Sequence, residues 1–174
     1  MNLGFLPRQV DTRRLAARQA AIKGGVPADG MPRLKDAGVK MTEPAFVCFT
    51  FTKDEQGRCT LFAQLKAELI LECQRCLEPM QYPIQVTSNI ACVASDAEAA
   101  ALPAYYEPLL VGDLMDLWEV AEEELLLAVP VSPTHKMECR STEQLSALEE
   151  KLQRSDVAEG VRDNPFAVLD ELKR

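Results

Sequence analysis

The sequence predicts an α+β domain: an antiparallel β-sheet or partly open barrel packed with a few helices. Three observations predict it. Apolar and polar residues alternate with period two through residues 45–93, a strongly amphipathic helical pattern covers 113–129, and Pro- and Gly-rich stretches separate these blocks. At 174 residues, 47% hydrophobic and 26% charged, the chain has the composition of one globular domain with a sizeable core.

Taken in order, residues 1–44 read as a basic helical arm. Asp11 and Thr12 offer caps for a helix running to about Lys23, closed by Gly24-Gly25, after which the Pro and Gly density of 26–44 reads as a linker. In 45–52, Val47, Phe49 and Phe51 share one face of a strand, and residues 54–57 supply a hairpin turn. The next run alternates for an unusual length. Leu61, Ala63, Leu65, Ala67, Leu69 and Leu71 lie on one face, with Gln64, Lys66, Glu68 and Glu72 opposite. Strands of that length are uncommon, so a bend or bulge is expected within it. Ile84, Val86, Ile90 and Cys92 continue the pattern, and 94–112 return to loop composition.

In the 113–129 helix, Leu114, Leu117, Trp118, Ala121, Leu125 and Ala128 form the inward stripe, which puts Trp118 in the core. Asp113 and Asp116 are candidate caps, and Glu122, Glu123 and Glu124 are expected on the solvated face. Pro130 ends the helix. Residues 142–154 read as a polar helix and 156–163 as a connector. Asn164 as cap, Pro165 as first residue, and Phe166, Leu169 and Leu172 then spell a short amphipathic helix, either docked on the core or presented to a partner.

Charge bounds the partners. The net charge is −8, yet residues 1–40 carry eight Lys or Arg against three Asp, leaving −13 on the remaining 134. Phosphates would be repelled by most of the surface. If RNA is touched, Arg13, Arg14, Arg18 and Lys23 are the expected neutralisers. The acidic remainder suits a basic protein partner instead. The longest apolar run, 125–129, is far too short to span a bilayer, and Pro7 and Arg8 interrupt any signal-peptide pattern. A cytoplasmic protein with reduced thiols is expected, with no membrane partner.

Cys73 and Cys76 stand two apart in an apparent turn between strands. Such a pair serves as a metal half-site, a redox dithiol or merely a tight corner. For metal, His135 and Cys139 are the candidate second half. The four together make three thiolates and one imidazole, a closed set for one structural zinc ion. A thioredoxin-like redox motif belongs at a strand-to-helix junction, and strands flank this one. Cys48, Cys59 and Cys92 lie inside strands, where a cysteine behaves as a small hydrophobe. Nothing marks a catalyst or a small-molecule substrate. There is no glycine-rich phosphate loop and no serine elbow, and the one histidine has no nucleophile marked out beside it.

Several stretches, in order, resemble the bacterial YceD family, whose members are called large ribosomal RNA subunit accumulation proteins. They are ECQRC (72–76), LPAYYEPLLV (102–111), LAVPVSPTH (127–135), Cys139 and NPFAVLDELK (164–173). The resemblance implies a non-enzymatic factor needed for accumulation of large-subunit (23S) ribosomal RNA, through processing or assembly. Its partner would be that RNA or a large-subunit assembly or processing protein. It brings no catalytic residues to carry over. Cys73, Cys76, His135 and Cys139 coincide with the family's recurring Cys and His positions. Lys136-Met137-Glu138 stands where many relatives are acidic. The alternatives to an assembly factor are a zinc-stabilised protein adaptor and a thiol oxidoreductase.

Overall fold

The computed structural model describes residues 4–139, so the expected helices at 142–154 and 164–173, with Asn164, Pro165, Phe166 and Leu169, lie outside the described residues. Residues 1–133 form one compact unit. In chain order its elements are β1 (Gln9–Val10), α1 (Thr12–Ala17), β2 (Ala21–Val26), a 3-10 turn (Ala28–Gly30), α2 (Pro32–Asp36) and β3 (Lys40–Met41). There follow β4 (Ala45–Lys53), β5 (Cys59–Glu72), β6 (Pro79–Val93), α3 (Asp96–Ala100), β7 (Glu107–Leu110), β8 (Met115–Asp116) and α4 (Leu117–Ala128). This is α+β. A six-stranded sheet runs β2-β4-β5-β6-β7 with β3 beside β5, and β1 pairs with β8 separately. The strands pair antiparallel except β6 with β7, which is parallel, and the sheet does not close into a barrel.

The period-two pattern is realised residue by residue. Val47, Phe49 and Phe51 of β4 and Leu61, Ala63, Leu65 and Leu69 of β5 are all at most 1% exposed. Gln64, Lys66 and Glu68 face out. The hairpin turn forms where expected. The Asp54 carboxylate accepts from the amides of Gln56 and Arg58, and Gly57 takes the left-handed φ of 79° that a side chain resists. The expected bulge is absent. From Thr60↔Ala91 to Glu72↔Pro79 the β5–β6 register never slips. The long strand is sustained because its other edge is also paired, by β4 over 59–66 and by β3 at Leu69 and Ile70.

Several other expectations need correction. The N-terminal helix stops at Ala17, where Gln19 enters the left-handed region at φ 49°, and Lys23, Gly24 and Gly25 belong to strand β2. Gly24 is required there by proximity rather than by helix termination. A Cβ on it would lie 2.6 Å from the Leu6 backbone nitrogen, because the N-terminal chain crosses it. The 26–44 stretch is structured, with Met31, Leu34 and Val39 buried. Residues 94–112 contain α3, capped by Ser95, and the added strand β7.

The acidic helix differs most. Glu122 and Glu124 are 4% and 6% exposed, not solvated, because α4 packs on the sheet with one side and on α2 with the other. Glu122 accepts a hydrogen bond from the Leu34 amide at 3.0 Å, which satisfies the buried carboxylate. Trp118 is half-buried rather than core. Its indole N–H donates to the Leu6 carbonyl at 2.8 Å, its ring covers Gly30, and Arg8 stacks over it at 5.8 Å. An indole N–H drawn away from water needs such a partner, and the Leu6 carbonyl supplies it. Leu114 is exposed.

Asp116 caps α4, accepting from the Trp118 and Glu119 amides at 3.0 and 3.2 Å and from Arg8 Nε at 2.8 Å. Burial opposes its ionisation, but the bonds from Arg8 and the two amides outweigh that and hold the carboxyl below its ordinary value. The unfolded chain therefore takes up the proton first as pH falls. The stability contributed is complete above the ordinary Asp range of about 4, and it is lost as pH drops through the depressed folded value. Asp116→Ala is expected to cost about 1 kcal/mol at neutral pH. Urea midpoints at stepwise lower pH should show the gap to wild type shrinking below pH of about 4, whereas a gap independent of pH would assign the effect to packing.

Candidate metal centre

β5 and β6 are joined by the six-residue turn 73–78. It closes through Cys73 N–H to the Glu78 carbonyl at 3.0 Å and Leu77 N–H to the Cys73 carbonyl at 2.8 Å. Leu77 sits at φ 64°, a conformation a branched side chain adopts at a cost of roughly 1–2 kcal/mol. The turn thereby brings Cys73, fully buried, and Cys76, half-buried, to one corner of the sheet. The Gln74 amide donates to the Pro133 carbonyl at 2.8 Å, which fastens the chain two residues before His135.

The Cys73, Cys76 and Cys139 sulfurs and one imidazole nitrogen of His135 all lie within 4.8 Å of one another. Tetrahedral zinc, with Zn–S of about 2.3 Å and Zn–N of about 2.0 Å, spaces its donors by roughly 3.4–3.8 Å. The widest separation in the set exceeds that spacing by only about 1 Å. The donor chemistry also fits. Thiolates with an imidazole select zinc over magnesium or calcium, and the group is able to bind a metal.

The four basic residues are exposed but do not share one helix. Arg13 and Arg14 lie on α1, Arg18 is its C-cap, and Lys23 is on β2 opposite Cys48 of β4. Sequence reasoning missed a second surface feature, a groove of about 520 Å³ beside α4 and β7. Glu107, Asp116, Glu119, Glu123 and Glu124 line it together with Leu110, Leu114 and Leu127, and among the described residues no basic one does. Those three leucines are 55–69% exposed. Exposed leucines beside acidic side chains give this face a mixed apolar and acidic surface. The signal was present as Glu119, Glu123 and Leu127 at four-residue spacing along one helix face, but the helical wheel alone did not say which flank was left open.

No helix among the described residues is long and apolar enough to cross a membrane. The model of the family described as "Large ribosomal RNA subunit accumulation protein YceD" matches residues 61–173. A large ribosomal RNA subunit accumulation protein YceD from Haemophilus influenzae is 32% identical over 175 aligned positions, covering 97% of each chain. No solved structure is significantly similar.

Proposed function

Because the chain belongs to the YceD family, we propose that it is a cytoplasmic, non-enzymatic factor supporting accumulation of the large-subunit (23S) ribosomal RNA through assembly or processing. The observation that carries this is the end-to-end similarity to a protein named for that role, covering 97% of both chains.

Cys73, Cys76, His135 and Cys139 would hold one zinc ion. Four protein donors leave no position for an activated water, so zinc supplies cohesion, fastening the turn between β5 and β6 to the segment after Pro133. The long gap between the ligand pairs costs loop-closure entropy, which grows only slowly with length. The direct partner is a protein with a basic, partly apolar segment, supported by the acidic groove at Glu107, Glu119 and Leu127. RNA contact through Arg13, Arg14, Arg18 and Lys23 is the second reading, supported by their exposure.

Deletion of the gene should lower large-subunit RNA several-fold relative to small-subunit RNA in sedimentation profiles, with rescue by the wild-type chain. A profile identical to wild type would remove the proposal. Rescue by Arg13→Glu with Arg14→Glu, together with failure of Glu107→Lys with Glu119→Lys, would assign the contact to the groove; the reverse outcome would assign it to RNA.

A further inference from the structure

Away from the metal centre lies a second cysteine pair that the accumulation role does not use. The β5–β6 ladder holds one register from Glu72↔Pro79 to Thr60↔Ala91, and its next step sets Cys59 directly across from Cys92. Opposed residues on antiparallel strands have Cα atoms about 4.5–5.5 Å apart, within the roughly 4.4–6.8 Å that a disulfide spans. The two thiols are close enough to shift each other's protonation, and Cys59 Sγ lies 3.5 Å from the Thr12 carbonyl oxygen. Both line a cavity of about 320 Å³ with Arg13, Lys53 and Glu98, and both are only partly buried.

We propose that Cys59 and Cys92 form a dithiol that a hydroperoxide closes into a cross-strand disulfide. The Cys59 thiolate attacks one peroxide oxygen. An S–O bond forms as the O–O bond breaks, and the leaving oxygen takes a proton and departs as water or an alcohol. The Cys92 sulfur, giving up its proton, then attacks the Cys59 sulfenic acid, the S–S bond forms, and water leaves. The two sulfurs have lost two electrons and the peroxide has gained them.

The division of labour follows from the surroundings. The neighbouring Cys92 thiol draws the Cys59 thiol down to about 7 against the opposing effect of burial, and the Lys53 and Arg13 charges assist. The Cys59 neighbour, with burial, holds the Cys92 proton in place, so Cys59 attacks and Cys92 resolves. Closure would staple the start of β5 to the part of β6 that pairs with β7 at Leu109. It would also end the thiol contact at Thr12, the first residue of the helix carrying Arg13 and Arg14.

The full-length protein is titrated with hydrogen peroxide near neutral pH, its remaining thiols are alkylated, and cysteine links are mapped without reduction by tandem mass spectrometry. Expected is a Cys59–Cys92 link, two hydrogens lighter than the separate fragments, at doses that leave Cys48 alkylated. Cys92→Ser should instead accumulate a dimedone-trappable sulfenic acid on Cys59, and Cys59→Ser should leave Cys92 reduced. A link from Cys59 to any other cysteine would overturn the proposal, as would Cys48 oxidised as fast as Cys59, or Cys92 oxidised as readily in Cys59→Ser.

Discussion

Cys73→Ser is expected to abolish tight zinc binding and to lower the melting temperature to that of chelator-treated wild type. The position is fully buried, so the serine hydroxyl there would also lack the metal bond that the thiolate would make. A ligand bound only by the folded state stabilises by about 4 kcal/mol when its free concentration is a thousandfold above Kd. Metal-dependent folding in small zinc modules is worth roughly 10–16 kcal/mol. The sheet has a core of its own, so the lower figure is the relevant scale, a loss of several degrees to more than ten in Tm. The discriminating observation is chelator sensitivity. Wild type should lose stability on metal removal, and Cys73→Ser should not change further. If both respond alike, the serine acts through packing.

Phe49→Ala should be the most damaging single core change. Phe49 is 0% exposed and lies between Ile22 of β2 and Ala63 of β5. Truncating a buried phenylalanine costs about 3–5 kcal/mol, because the lost transfer energy is joined by that of an unfilled cavity. Against a total of roughly 5–15 kcal/mol, that leaves much of the chain unfolded at moderate urea. Phe62, on the other face of β5 and 39% exposed, provides the control, and its replacement by alanine should cost about 1 kcal/mol or less. Urea midpoints with unchanged slopes test both. Equal costs would contradict the assignment of faces.

That assignment was readable in the sequence because a strand's period is two, and one wrong step would have turned every leucine of β5 outward. The β4–β5 turn was equally legible, since Asp54 and Gly57 are residues that turn geometry demands. The grouping of Cys73, Cys76, His135 and Cys139 was legible for a different reason. Thiols and imidazoles at metal-ligand spacing carry chemistry that does not depend on knowing the fold.

What was missed depends on neighbours far away in the chain. Gly24-Gly25 resembles a helix stop until the N-terminal chain is known to cross it. Glu122 looks solvated until the Leu34 amide is placed beside it, and β7 is too short, with a proline inside it, to announce itself. The Cys59–Cys92 pairing lay hidden behind the expected bulge, because a single slip would have separated the two. Once the register is continuous about the 73–78 turn, the pairing follows.

The most direct test of the metal centre is the metal content of the protein purified without chelator. One zinc per chain, retained through dialysis and lost in Cys73→Ser, is the expected result. Zinc well below one per chain in wild type, with a melting temperature indifferent to chelator, would contradict it and reduce Cys73 and Cys76 to the corner of a hairpin.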